Sequence, residues 1–229
     1  MLKRIFQKIK QRLTLYRQVE FFQYLYLNHF CKQVVRTDRS HIIPYKNAVI
    51  DLASNSKIYL GGGDIEIGCD RMKGSKTETR IRLRESAIWS NQGGCRISYG
   101  TTLEVLSGGV LDTQFFTINS NSVVIAAKRI QLGEDVMMGR NVMIYDSDHH
   151  SVFNQAGKCT NPDAEVIIGS YVWLASNVSV LKGAVIGNHA LVSANTIVHG
   201  QIPAKALYRT QTKPVIRENY GRWDRKHPV

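Results

Sequence analysis

Four ionisable side chains crowd into five positions: Asp146, Asp148, His149 and His150, in the run Tyr145-Asp146-Ser147-Asp148-His149-His150-Ser151. An imidazole ordinarily titrates near neutrality, so it can take a proton from a hydroxyl and hand it on within one cycle. A carboxylate beside it can fix the tautomer and stabilise the imidazolium that forms. The group therefore suits general-base activation of a hydroxyl, with His150 or His149 as base and Asp148 as its orienter. The same carboxylates would serve equally well to cap a local turn. A three-histidine zinc site is a poor fit, because His149 and His150 are adjacent and His189 and His199 bring no matching set. The four cysteines, Cys31, Cys69, Cys95 and Cys159, are far apart and form no CxxC pair. That argues against structural zinc and a disulfide framework, and suits a reducing cytoplasm.

What positions these residues is written downstream as a period. From Ile168 to Pro203 the chain divides into six-residue units: IGSYVW, LASNVS, VLKGAV, IGNHAL, VSANTI and VHGQIP. Each opens on an aliphatic (Ile168, Leu174, Val180, Ile186, Val192, Val198), and the fifth place is small or β-branched. A helix would repeat near 3.6 and a simple strand at 2. A period of six predicts a triangular parallel β-helix, in which each unit supplies one short strand and one corner. The same rule holds upstream in LGEDVM and MGRNVM, from Leu132, and then breaks in IYDSDH, where the fifth place is Asp148. Residues 151–167 fall out of period altogether. They read as a loop of roughly one coil's length thrown out from the prism, and such loops are where function concentrates.

The remaining chain is less regular. Residues 1 to about 36 lack Gly and Pro and read as helix, with Leu2, Ile5, Phe6, Ile9 and Leu13 on one face. Eight Lys and Arg against one Glu give this stretch a net +7 of the chain's +12. It suits either peripheral attachment to an anionic membrane or packing on the β-helix or a sister subunit. Residues 37–60 look like a transition into sheet, and Thr79 to Ile130 like early coils whose units slip register. The domain reading is a helical segment over 1–45, a β-helix over 46–203 and a tail over 204–229. The strong positive charge predicts an anionic partner: a phosphorylated cofactor, an acidic glycan or a membrane surface. No nucleic-acid-binding signature accompanies it. No long uncharged apolar run spans a bilayer, and the basic start lacks a secretory core and cleavage site, so a cytoplasmic protein is expected.

The order of these parts resembles the hexapeptide-repeat acyltransferases, most of all the branch that O-acetylates sugars and surface polysaccharides. The resemblance rests on Ile130 to Val152, the ejected loop, Ile168 to Trp173 and the six units to Pro203. It implies a left-handed parallel β-helix, a homotrimer, acetyl-CoA as acyl donor, and a glycan acceptor. It implies further that a histidine just before the loop is the base, placed at His150 by the family's Asp-Ser/Thr-Asp-x-His-Ser pattern, with His149 as the alternative. Asp148 would orient it, and Trp173 would line the groove between neighbouring columns where acetyl-CoA lies. Lys182, Lys205, Arg209 and Lys213 would meet the phosphates of the coenzyme, as charged donors do. Asn119, Asn121 and Asp146 are candidates to contact the acceptor. One departure stands out: where the family has Gly-x-Pro-Ala after the last coil, this chain reads Thr210-Gln211-Thr212-Lys213. An N-acyltransferase acting on an amino-sugar nucleotide, or a non-catalytic scaffold, would share the fold, so fold alone does not choose between them.

Overall fold

The structure, a computed structural model, describes residues 18–210. Its strands are short, and every pairing among the named strands is parallel. They form three sheets. Sheet I runs through eight strands from Val34–Arg36 to Gln201–Ile202, sheet II through eight from Ile42–Pro44 to Leu207–Tyr208, and sheet III through seven from Ala48–Leu52 to Ile197–Val198. The chain visits them in turn, I then II then III, so each circuit is one coil of a three-sided prism. This is the triangular parallel β-helix expected from the period, left-handed as the resemblance implies.

The prism follows from alternation. Within a strand successive side chains point to opposite faces, so every second residue enters the interior. Ile168, Leu174, Val180, Ile186, Val192 and Val198 are all buried, and so are the small residues Val172, Val178, Ala184 and Ala190. Burying an aliphatic side chain of this size contributes about 1.5–3 kcal/mol, which makes the stacked interior the main stabilising term. Between sheets II and III the chain turns through Asn121, Asn141, Asn177 and Asn195, each with positive φ. Asparagine tolerates that conformation better than most residues. The stacked side chains also bond down the corner, Asn141 Nδ2 to Asn177 Oδ1 at 3.0 Å and Asn177 Nδ2 to Asn195 Oδ1 at 2.9 Å.

Register gives the coil lengths. Ile168 pairs with Ile186, a step of eighteen residues. Leu132 pairs with Ile168, a step of thirty-six, so the ejected loop adds one full coil's length without disturbing the stack. Earlier steps are uneven. Leu60 pairs with Asn91, Asn91 with Thr113, and Thr113 with Leu132, and the corners absorb the difference. Trp89 and Asn91 fill the wider interior there. Trp89 Nε1 and Asn91 Nδ2 both donate to Thr113 Oγ1, at 3.1 and 2.9 Å, and Gly94 N–H donates to Asn91 Oδ1 at 2.7 Å.

Three boundaries differ from the sequence reading. The expected helix over 1–36 is, in its described part, a short α-helix at Phe21–Leu25 continued by a π-turn at Tyr26–Phe30; residues 1–17 lie outside the described residues. Val34–Arg36 is already a strand, paired with Ile58–Leu60, so coils start upstream of residue 46. The end also shifts. Ile202 pairs with Ile186, which makes it the opening aliphatic of a further unit, IPAKAL, and not the fifth place of VHGQIP. The corner after Val198 is two residues short, and the last described strand is Leu207–Tyr208. Asn28 closes the open end of the prism. Its amide donates to Ile42 C=O at 2.7 Å and accepts from Ile42 N–H at 2.9 Å, doing for an edge strand what a neighbouring strand would do. Arg36 then ties Asn28 and Leu27 to the first coil.

Candidate active site

The chain leaves the prism at the corner between sheets III and I in the fifth coil, after Tyr145, and returns at Val166. The carboxylate that anchors this exit is Asp146. It has no accessible surface. Its oxygens accept the backbone N–H of Ala127 at 2.7 Å and of Lys128 at 2.8 Å, from the corner one coil earlier. Its own carbonyl accepts Ala164 N–H from the returning strand of the loop. Asp146 is therefore a buried structural carboxyl tied to two corner amides, and the expectation that it contacts an acceptor is corrected. The carboxylate set into the prism is Asp146, and Asp148 stands outside it, because the excursion starts before the period says it should.

Asp148 is exposed, and its partners differ from those expected. Oδ2 accepts from Lys182 Nζ at 2.6 Å and from Asn161 Nδ2 at 2.8 Å. The lysine and asparagine, with the charges of Lys182 and His149 adding to them, hold its carboxyl below the usual carboxylate range. Among the described residues it accepts no hydrogen bond from an imidazole. Lys182, assigned to a coenzyme phosphate by its basic character, instead reaches up one coil to Asp148 and to Asn161 C=O at 2.8 Å.

Asn161 escaped the sequence reading and ties the loop together. Besides Asp148, its Nδ2 donates to His150 C=O at 2.9 Å, and its Oδ1 accepts Val152 N–H at 2.6 Å. The signal that could have marked it is the dipeptide Asn161-Pro162, a turn initiator at the loop's base. Beyond it the loop makes a small antiparallel contact, Phe153 with Cys159. Asn154 organises its tip by accepting from Ala156 N–H and Lys158 N–H.

The two imidazoles sit inside this brace, and both are exposed. His149 has positive φ, its N–H donates to Ser147 Oγ at 2.9 Å, and its ring meets Tyr145 edge-on at 5.8 Å. The His150 side chain makes no hydrogen bond among the described residues, while its carbonyl is held by Asn161. Together with Ser147, Ser151, Cys159 and Asp163 they border an open concavity of about 240 Å³. Chemically, this is an accessible imidazole on a backbone fixed from both sides. The buried thiols take no part: burial above all pushes Cys69 up to about 12 and Cys95 well above its ordinary value. No group of three or more His, Cys, Asp or Glu is placed to hold a metal among the described residues.

The other candidates lie elsewhere on the prism. Trp173 faces outward from sheet II and is 44% exposed. It is in register with Met137 above it and Leu191 below, and Leu191 with Leu207, so an apolar ladder runs down this face. Lys205 and Arg209 are exposed at its far end, and Lys213 lies outside the described residues. In a three-sided prism the III–I corner is opposite sheet II, so one chain does not bring Trp173 to the imidazoles. Asn119 and Asn121 stand at the II–III corner of the preceding coil, where Asn119 Nδ2 is bonded to Met138 C=O at 3.2 Å, again apart from the histidines.

No protein-family model matches the chain. Relatives do. WbbJ of Escherichia coli (strain K12), whose name assigns it provisionally to lipopolysaccharide biosynthesis as an O-acetyl transferase, is 29% identical over 133 residues, covering 52% of this chain and 66% of WbbJ. The polysialic acid O-acetyltransferase of Escherichia coli O1:K1 is 30% identical over 105 residues, covering 45% of this chain and 34% of that protein. The chain is thus similar in sequence to proteins named as O-acetyltransferases. It spans less than two thirds of the length of each of these two relatives. Among solved structures, the polySia-specific acetyltransferase NeuO aligns over 86% of this chain and 92% of its own, at 22% identity and a TM-score of 0.46.

Proposed function

We propose that this hexapeptide-repeat protein is an acetyl-CoA-dependent O-acetyltransferase that modifies a hydroxyl of a glycan, with His150 as general base. The observation that carries the reading is the pair of exposed imidazoles held at the base of the ejected loop, in a chain whose relatives are named as O-acetyltransferases. His150 is preferred over His149 because its ring has no partner within the described chain, whereas the His149 ring packs against Tyr145. The imidazole nitrogen takes the hydroxyl proton as the oxygen attacks the thioester carbonyl carbon. The tetrahedral oxyanion is met by a backbone N–H. Collapse breaks the C–S bond, and the imidazolium returns the proton to the departing thiolate. Asp148 holds the loop through Lys182 and Asn161, so its part is to position the base, not to bond it.

The donor would lie along the apolar ladder of sheet II. Trp173, Leu191 and Leu207 suit the pantetheine arm, and Lys205 and Arg209 at its end suit phosphate. Because that ladder and the imidazoles sit on opposite sides of one prism, the reading requires a homotrimer in which one chain's III–I corner faces its neighbour's sheet II. The exposed Val152 and Phe153 of the loop give that contact an apolar component. The charge of +12 favours an anionic acceptor.

The test is thiol release from acetyl-CoA in the presence of a panel of neutral and acidic glycans and amino-sugar nucleotides. The reading expects acceptor-dependent release with a glycan hydroxyl, lowered about 10²–10⁴-fold by His150→Ala. Release with amino-sugar nucleotides alone would turn the reading to N-acylation, and unchanged rates in both His150→Ala and His149→Ala would remove the base assignment.

A further inference from the structure

The end of the prism where the chain enters carries a feature the acyl-transfer chemistry does not use. The segment Phe21–Phe30 is two-faced. Leu27 and Asn28 are buried and plug the first coil. On the outer side Phe21, Phe22, Tyr26 and Phe30 are all exposed, Phe22 at 85% and Phe30 at 71%. Four aromatic rings turned to water on one short segment are more than scattered surface hydrophobicity. The chain that leads into this segment is strongly basic. Residues 1–17 hold six Lys and Arg, Lys3 and Lys8 among them, and no Asp or Glu.

We propose that this end of the prism docks on an anionic lipid bilayer, with the Phe21–Phe30 aromatics in the headgroup–acyl boundary and the net positive charge of the neighbouring sequence favouring an anionic surface. Phenylalanine and tyrosine rings beside a dense run of lysine and arginine are the composition an interface of this kind takes up. Charge disfavours a second copy on the same face, since it would bring two such basic runs together. An acidic protein would satisfy the charge, but Phe21, Phe22 and Phe30 stand outside the concavity of about 260 Å³ that Tyr26 borders with Leu27, Ile50 and Leu52, and Asp51 at its wall would repel an acidic partner.

The consequence is geometric. The imidazoles are four coils above the plug, and adjacent strands are spaced by about 4.8 Å, so His150 would work about 19 Å from the surface. That height fits an acceptor displayed from the membrane. The docking itself does not depend on the acyl-transfer reading, and its test has a separate readout.

The experiment is co-sedimentation of the full chain with vesicles of phosphatidylcholine alone and of phosphatidylcholine mixed with phosphatidylglycerol. Binding is expected to the mixed vesicles and to weaken steeply with salt, each lysine or arginine near the surface being worth roughly fivefold. The double variant Phe22→Ser, Phe30→Ser leaves the buried plug untouched and is expected to bind about a hundredfold more weakly, roughly tenfold for each ring withdrawn. In a separate variant, Phe22→Trp should add indole fluorescence quenched by nitroxide-labelled lipid. Equal vesicle binding by the wild-type chain and the double variant overturns the proposal. So does a fall in oligomeric mass of the double variant in vesicle-free buffer, which would assign the rings to a second copy. So does binding to an acidic protein column without binding to the mixed vesicles.

Discussion

The early and late coils share one interior and have opposite exteriors. On the early coils the outer faces are closed by ion pairs: Arg82 with Asp51 at 3.0 Å, Arg84 with Glu104 at 2.8 Å, Arg96 with Asp70 at 3.3 Å, and Arg129 with Asp112 at 2.9 Å. Their strands are mostly four or five residues long. After Arg129, the described ion pairs reduce to Lys182 with Asp148, at the loop. The outward places are taken instead by Met137, Met143, Trp173, Ile197 and Leu207, and the strands shrink to two residues. Outside the Phe21–Phe30 segment the early half exposes only scattered apolar side chains (Val35, Val49, Tyr59, Met72) among its ion pairs, while the late half carries a continuous apolar ladder down sheet II, the surface the proposed trimer would cover. That difference places the proposed donor groove and the proposed subunit contact in the same half, beside the loop.

The contrast breaks first at Leu207, which is 67% exposed in the single chain. If the late face is a subunit contact, Leu207→Glu buries an unpaired carboxylate there, and assembly measured by sedimentation should weaken about a hundredfold or more. The matching change on the early face, Arg82→Ala, breaks exposed pairs and should leave both the mass and, within about 1 kcal/mol, the stability unchanged.

A smaller effect separates the prism from its excursion. Asp146→Ala strips the acceptor from the N–H groups of the half-buried Ala127 and the exposed Lys128, at about 2–4 kcal/mol in all. The midpoint of thermal unfolding should fall by roughly 5–15 °C for a chain of this size. A melting temperature within a degree of the wild type would show that the exit is anchored elsewhere.

Asn177→Ala, in the late corner ladder, removes two amide bonds and forces alanine to positive φ. Its cost should be about 1–3 kcal/mol, read from chemical denaturation. The smallest effect is one of pH. The Asp148 carboxyl is held below its unfolded value by Lys182 and Asn161, so its contribution is present above the ordinary carboxylate pKa of about 4 and is lost as pH falls through the folded value. Amide protection in residues 150–163, taken relative to the intrinsic exchange rate at each pH, should therefore fall at acid pH before the prism unfolds, and Asn161→Ala should show the same fall at neutral pH. Loop protection that stays flat until global unfolding would contradict the brace.

The prism was legible because its demand is simple: one aliphatic every six residues fills a space of fixed width, and Ile168 to Val198 meet it without exception. The histidines were legible because they follow the break in that period. What was not legible depends on where the backbone departs from the count. The six-residue frame assigned the inward carboxylate to Asp148. The chain leaves after Tyr145, so Asp146 takes that place and Asp148 is freed to meet Lys182. The same frame made Ile202 a corner residue, because it could not register a corner two residues short. Asn161 and Lys182 act across the loop, between positions no local pattern relates. The N-terminal helix was overextended because its apolar density continues past Phe30 into Val34-Val35, where β-branched residues favour the strand they form.

The central claim is that one chain supplies the base and its neighbour supplies the donor face. Co-expression of His150→Ala chains with Trp173→Ala chains tests it. Each variant alone should be severely impaired. In a cyclic trimer every mixed assembly contains one boundary with both halves intact, so random mixing should restore about a quarter of the wild-type rate of acceptor-dependent thiol release. A mixture no more active than the two variants measured separately, with mixed trimers shown to be present, would contradict the shared site.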